Sequence, residues 1–246
     1  MSFIDLANPT RFLTLTNRAM PWLALATAVV FAIGLSLAAF APDDYQQGAT
    51  VKIMFLHVPS AWLCMFGWAL MSVAALGTLV WRHPLADVAG KAAAPVGAAL
   101  TFLCLVTGSL WGRPMWGTFW VWDARLTSVL VLFLMYLGVL AIYWTAEDPN
   151  RGARAAAIFT LVGAVNLPII KFSVDWWNTL HQPASVLRIG GTAIDPSILR
   201  PLLVMALAFL LLFVTLHLAA MRNEILRRRV RALRMAQARK LAEAHS

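Results

Sequence analysis

Six long apolar stretches constrain the fold of this chain more than any other feature of its sequence. They cover approximately residues 20–41, 59–81, 92–111, 126–145, 155–172 and 197–221. Each meets or approaches the ~20 residues that an α-helix needs to cross the hydrocarbon core of a bilayer. None has the alternating pattern of a transmembrane barrel strand, and a spanning helix satisfies its own backbone hydrogen bonds. The sequence therefore predicts an all-α integral membrane protein, a bundle of six transmembrane helices.

The charged residues are few and unevenly distributed. Only 13% of the residues are charged, 61% are hydrophobic, and the formal net charge is +9. If both termini are cytoplasmic, 14 of the 20 lysines and arginines lie on the cytoplasmic side. This distribution follows the positive-inside rule, so the positive charge is interpreted as a topology signal and no nucleic-acid partner is expected. The three outer segments hold most of the unusual residues, which predicts a working face on the non-cytoplasmic side.

The two ends of the chain need separate interpretations. Residues 39–41 have the small-x-small pattern of a signal cleavage site, but the apolar run before them is too long for a signal-peptide core. We therefore expect the first helix to be retained and residues 1–222 to form the membrane domain. Residues 223–246 are predicted to be a basic cytoplasmic tail.

The tail carries apolar residues at helical spacing, namely Leu226, Val230 and Leu233. This spacing predicts an amphipathic helix that continues the last span along the anionic lipid surface. A docking site for a cytoplasmic partner is the alternative.

The most unusual segment lies between the third and fourth apolar stretches. Residues 111–125 contain four tryptophans, a phenylalanine, two glycines, a proline, an aspartate and two arginines. Aromatic residues do collect at bilayer interfaces, but rarely in such density. The composition predicts a flat apolar surface with a few polar contacts, suited to a large planar ligand. The candidate binding residues are Trp111, Arg113, Trp116, Phe119, Trp120, Trp122, Asp123 and Arg125.

Two of the five histidines fall on the same face as this segment. His57 comes just before Pro59 and Ser60, which are predicted to begin the second span, and His181 lies in an aromatic-rich loop. Two imidazoles beside an aromatic surface form a candidate pair of axial ligands to haem iron. A structural zinc site fits less well, because it needs four ligands and this face offers no cysteine or third histidine. An ordinary hydrogen-bonding role at the interface stays open for each histidine.

Arginines on this face have two interpretations. A guanidinium binds a carboxylate bidentately, so Arg113 and Arg125 are candidates for the two haem carboxylates. Alternatively, Arg125 pairs with Asp123 and holds the loop. Other cations on this face are candidates for contact with the ligand, a protein partner or lipid, namely Lys52, Lys171 and Arg188.

The cysteines carry no recognisable motif. Cys64 and Cys104 lie inside predicted spans, without a Cys-x-x-Cys or Cys-x-x-Cys-His pattern. They predict neither a thiol redox pair nor covalent haem attachment, and they are expected to pack in the bundle.

Residues 111–128 are similar to the tryptophan-rich signature of the WWD family of haem-handling membrane proteins. Within that family the chain resembles the CcmC proteins of bacterial cytochrome c maturation, on its six spans, residues 57–62 (HVPSAW) and residues 176–183 (WWNTLHQP). The resemblance covers about residues 10–222. It implies that haem b is bound non-covalently on the periplasmic face of the inner membrane, with His57 and His181 as axial ligands, and is then passed on.

The resemblance also implies partners. CcmC-like proteins present haem to the haem chaperone CcmE and work with CcmD and an ABC module, CcmA plus CcmB. Covalent bond formation belongs to the chaperone, so the chain is not expected to be an enzyme. Phe119 stands where many relatives carry another tryptophan and lacks the indole N–H donor. The residues carried over to the haem surface and the chaperone contact are Trp116, Trp120, Trp122, Asp123 and Arg125.

The main alternative is a subunit of an ABC exporter that itself translocates haem or another solute. The sequence has no Gly-x-x-x-x-Gly-Lys-Ser/Thr motif, so the chain is not expected to hydrolyse nucleotide. A b-type electron-transfer cytochrome would carry histidine pairs within its helices, and predicted spans two to five contain none. Asn166 and Pro168 in the fifth span indicate either a kink that opens space beneath the ligand or a simple irregularity.

Overall fold

The computed structural model describes residues 8–182, 185–186 and 191–244. Over these ranges the chain forms seven α-helices and a short 3-10 helix at Ala49–Ile53, with no β-strand. The α-helices are α1 (Pro9–Ala39), α2 (Met54–Leu79), α3 (Pro84–Trp116), α4 (Ala124–Thr145), α5 (Pro149–Gly163), α6 (Asn166–Trp176) and α7 (Pro196–Ala244).

Six segments of the described chain are long and apolar enough to cross a membrane, with α5 and α6 together forming one of them. The predicted six-span all-α fold is confirmed. The first helix begins at Pro9, well before the apolar stretch, because the Asn8 side chain accepts a hydrogen bond from the Thr10 amide at 2.9 Å and Pro9 occupies the first turn.

The fifth span is interrupted, as the Asn166 region of the sequence indicated. Helix α5 ends at Gly163 and α6 begins at Asn166. The buried Asn166 side chain donates through Nδ2 to the Ser128 carbonyl of α4 at 2.9 Å, so the break is tied to a neighbouring helix. Beyond it, α6 places Ile170 in the wall of the cavity described below.

The core is organised around α3, which packs against α2, α4 and α7. Tyr136 of α4 is fully buried and donates its hydroxyl to the Cys64 carbonyl of α2 at 2.7 Å. Gly97 of α3 permits this approach, because a Cβ there would lie 2.3 Å from the Tyr136 ring. Cys64 and Cys104 are free and buried, in agreement with their predicted packing roles.

Helix α7 continues without interruption through the basic tail, which confirms the predicted helical continuation. Glu224 is buried and pairs with Lys91 of α3 at 2.9 Å, and Arg228 pairs with both Glu224 and Asp87. These ion pairs hold the base of the tail against the start of α3. All residues from 226 to 244 are exposed, and contact of the tail with lipid stays a prediction.

Candidate functional site

A cavity of about 420 Å³ lies at the end of the bundle where α2 begins and α3 ends. Its walls come from α2, α3, α4 and α6 and from the segments before α2, between α3 and α4, and between α6 and α7. A volume of this size falls within the range of small-molecule sites. Both candidate ligands, His57 and His181, line it.

The two imidazole rings have centroids 6.4 Å apart and planes inclined by 28°. A first-row metal ion bound by two imidazoles on opposite sides, with bonds of about 2 Å, places ring centroids about 6.3 Å apart. The separation of His57 and His181 therefore matches that of two axial ligands. Direct hydrogen bonding or close ring stacking would require a shorter separation.

His57 lies within the first turn of α2, because this helix begins at Met54 and not at Pro59. Its side chain is buried, and Nδ1 lies 3.1 Å from the Cys104 carbonyl and 3.2 Å from the Thr107 hydroxyl of α3. A carbonyl can only accept, so Nδ1 carries the proton and Nε2 is left as the metal-binding nitrogen.

Close packing fixes the His57 ring further. A Cβ at Gly108 would lie 2.9 Å from its Cε1 atom, so the ring rests directly on the backbone of α3. On another side Trp111 meets it edge-on, with ring centroids 5.6 Å apart.

His181 lies in the segment between α6 and α7, beyond the helical part of the site. Its ring meets Trp116 at 6.0 Å between centroids, and its backbone amide donates to the Thr179 hydroxyl at 3.1 Å. Burial lowers the pKa of His181 below its ordinary value of 6.5, and the positive charge of Arg125 acts in the same direction. The neutral imidazole, which is the form that binds metal, is thereby favoured.

The tryptophan-rich segment is divided into two sides, in contrast to the single flat surface predicted from sequence. Trp111, Trp116 and Trp120 line the cavity. Phe119 and Trp122 are 54% and 75% exposed and are not among the residues that line it.

The division arises because α3 does not end at residue 111 but continues to Trp116. Gly117 then adopts a left-handed conformation (φ 78°), and its amide donates to the Arg113 carbonyl at 3.0 Å. The Arg113 guanidinium donates to the Gly117 carbonyl and lies 5.5 Å from the centre of the Phe119 ring. Arg113 therefore holds the turn and does not line the cavity.

Arg125 and Asp123 lie close in sequence but have separate partners. Asp123 caps α4, since its Oδ1 accepts from the Leu126 amide at 2.8 Å. Arg125 lines the cavity and donates through Nε to Ser173 of α6 at 2.7 Å. Among the ion pairs of the described chain there is none between the two residues, so of the two sequence-based alternatives the loop-bracing pair is not formed.

Two buried polar atoms of the segment have no hydrogen-bond partner in the described part of the chain: Trp120 Nε1 and Asp123 Oδ2. Buried polar groups are nearly always paired, so each needs an explanation. Trp120 lines the cavity with other atoms, whereas its N–H is buried and unpaired, which makes it a candidate donor to an oxygen atom of a bound molecule.

The sequence interpretation missed the face of α3 beneath the histidines. Cys104, Gly108 and Met115 line the cavity, on the helix face that they share with Trp111, which the sequence did identify. Counting in helical steps from Trp111 toward the N-terminus leads to Gly108 and Cys104 and could have identified them. However, α3 is apolar on all sides, so no polar face indicated which residues point inward.

The remaining candidates are distributed around the site. Lys171 lines the cavity, whereas Lys52 donates to the Ala39 carbonyl at 3.1 Å, away from it. Arg188 lies outside the described residues.

Comparison with known proteins gives the family. The Heme exporter protein C model (CcmC) matches residues 2–236. Heme exporter protein C of Bradyrhizobium diazoefficiens is 75% identical over 242 residues, which cover 98% of this chain and 92% of that protein. Its counterpart in Escherichia coli K12 is 50% identical over 223 residues, 90% of each chain, and that of Paracoccus denitrificans is 43% identical over 234 residues, 95% of this chain and 97% of its own. The chain therefore belongs to the CcmC family of haem exporter proteins.

Proposed function

We propose that this protein binds haem b non-covalently on the periplasmic face of the bacterial inner membrane and delivers it to the haem chaperone CcmE during cytochrome c maturation. The observation that carries the proposal is the pair His57 and His181, 6.4 Å apart across a cavity that both line. Membership of the CcmC family supports the choice of haem as the molecule bound.

The residues that line the cavity besides the two histidines also suit a porphyrin. Trp111, Trp116 and Trp120 supply aromatic walls, and aromatic rings offer large apolar surfaces for a planar molecule. Arg125, Lys171 and the unpaired Trp120 N–H are candidate polar groups for the haem carboxylates. Asp123 acts through the structure of α4, which it caps, and Arg113 acts through the turn at Gly117.

The outer side of the tryptophan-rich segment suits the chaperone. Phe119 and Trp122 form exposed aromatic surface next to the cavity mouth, and exposed aromatic residues are enriched in protein interfaces. Covalent attachment of haem would take place on CcmE, so this chain supplies binding and orientation and is not an enzyme in this proposal. CcmD and the ABC module CcmA plus CcmB complete the expected assembly.

The charge distribution supports a cytoplasmic location for both termini. The ion pairs around Glu224 and the basic end of α7 adjoin the start of α3, whereas the cavity adjoins its end. Since positive residues favour the cytoplasmic side, the cavity end is assigned to the periplasm.

The first test of ligation is an absorption spectrum of the purified protein, oxidised and dithionite-reduced, after expression with its partners in haem-replete cells. Low-spin b-type bands are expected in the wild type, and His57→Ala and His181→Ala should each weaken or shift them. His83→Asn is the matched control, because His83 caps the opposite end of α3 and asparagine retains the capping role. Absence of a Soret band in the wild type would contradict the proposal.

Delivery needs its own test. A photocrosslinking amino acid at Trp122 is expected to capture CcmE, whereas the same group at Trp144, an exposed tryptophan at the far end of α4, should not. Equal capture at both positions, or none at Trp122, would argue against docking at the tryptophan-rich segment.

A further inference from the structure

The two candidate ligands are held very differently, and we propose that His57 retains the haem iron while His181 is the ligand that is released when haem is passed on. This inference rests on the proposed function, and it adds an order to the hand-over. It concerns which metal–nitrogen bond breaks first, and it also assigns a positioning role to Thr107.

His57 is fixed from three directions. It lies in the first turn of a helix, its Nδ1 contacts the Cys104 carbonyl and the Thr107 hydroxyl of the neighbouring helix, and its ring rests on Gly108. Its surroundings along α2 are also buried, since Phe55 is 1% exposed. To move away from the iron, His57 would have to break contacts between two packed helices.

His181 has weaker and more local support. Its backbone amide donates to Thr179, and the Thr179 hydroxyl donates back to the His181 carbonyl at 3.3 Å, so these contacts span only two residues of the same segment. The neighbouring Leu180 is 54% exposed and Gln182 is exposed too. Among the described residues, displacing the His181 ring would disturb its ring contacts with Trp116 and His57, but no hydrogen bond there joins this ring to a helix.

The exchange that follows from this difference is simple. The bond between iron and His181 breaks, and a nitrogen or oxygen donor from a side chain of the acceptor forms a bond at the vacated position. The imidazole leaves as a neutral group, so no electron or proton has to be transferred. His57 holds the haem from the other side until the acceptor has bound it.

Thr107 positions His57 in this scheme. Its hydroxyl donates to the Leu103 carbonyl at 2.6 Å, which leaves the oxygen to accept from Nδ1 of His57. Hydrogen bonding at the distal nitrogen of a metal-bound histidine fixes the ring and raises its basicity. A change at Thr107 should therefore alter the electronic properties of the iron only as long as His57 remains bound.

Carbon monoxide distinguishes the two ligands. In the purified, reduced protein it replaces one histidine, and the C–O stretching frequency of the adduct reports the ligand on the opposite side. We expect the wild-type adduct to have the frequency of the His181→Ala adduct. A wild-type frequency equal to that of His57→Ala would show that His57 is the ligand that leaves.

A second variant keeps the test valid if His57→Ala binds no haem. Thr107→Val removes the hydroxyl at nearly constant volume and should shift both the C–O frequency of the adduct and the haem midpoint potential, while Thr107→Ser should restore both. Thr101→Val is the matched control, because Thr101 is buried in the same helix and, among the residues that the structure describes, its hydroxyl bonds only to the Gly97 carbonyl.

The outcomes separate this inference from the proposed function. A CO adduct whose frequency is unchanged in Thr107→Val, in a protein with normal bis-histidine bands before CO is added, would overturn the release of His181 and leave haem binding intact. A wild-type protein without haem bands would instead overturn the proposed function itself.

Discussion

The two ends of α3 are built on opposite principles. At the start of the helix, Asp87 and Lys91 are tied to Arg228 and Glu224 of α7 by ion pairs. At its end, Gly108 and Trp111 face a cavity that is also lined by the imidazoles of His57 and His181. The charged end joins helices to one another, whereas the cavity end leaves a space between them. Stability and ligand binding are therefore separated along one helix, and substitutions at the two ends should have separate effects.

Among substitutions that compare the two ends of α3, the largest effect on ligand binding is expected from Gly108→Ala. The added Cβ would lie 2.9 Å from the His57 ring and force it away from its present position. Overpacking of this kind costs about 1–3 kcal/mol, so haem occupancy should fall on the order of tenfold, measured from the Soret absorbance per protein.

The matched control for this substitution is Gly90→Ala, near the start of the same helix. The new Cβ there would meet Ala74 at 3.6 Å, which is an ordinary contact. Haem content should be unchanged. Equal loss of haem in both variants would show that α3 responds as a whole and that its two ends are not separate.

Glu224→Ala tests the charged end. It removes the common partner of Lys91 and Arg228, and because both cations are partly exposed, we expect the free energy of unfolding to fall by about 1–2 kcal/mol. The thermal midpoint in detergent measures this loss. The haem spectrum of the remaining folded protein should match the wild type, and a shifted spectrum would contradict the separation.

The smallest effect is expected on the rate of haem dissociation, when tryptophans on the two sides of the tryptophan-rich segment are replaced. Trp120→Phe removes the unpaired buried N–H together with part of the indole ring, and it should speed dissociation of haem several-fold if the N–H donates to a haem oxygen, since a hydrogen bond contributes about 1 kcal/mol. Trp122→Phe, on the exposed side, should leave dissociation unchanged. Transfer of haem to apomyoglobin measures both rates, and equal rates would contradict the division of the segment.

Parts of the site could be predicted from the sequence, and others could not. His57 and His181 were identified because topology placed only two histidines on one face, and both line the cavity. The partner of Arg125 could not be predicted, because both an ion pair with Asp123 and a position in the cavity wall fitted the sequence. The structure decides through Ser173, which accepts from Arg125 and is distant in sequence. Phe119 and Trp122 were grouped with Trp116 because the end of α3 was expected five residues too early; apolar content does not reveal where a helix ends outside the membrane.

The sequence by itself determined the number and type of membrane-spanning elements, because a bilayer accepts only helices of sufficient apolar length in such a chain. It also determined the chemistry available on one face, through the aromatic residues and two histidines of that face. Only the tertiary structure decided which aromatic rings point inward, which polar atoms support His57, and how far apart the two imidazoles lie. Those features depend on contacts between helices that are distant in sequence, and a helix that is apolar on every side carries no pattern that specifies them.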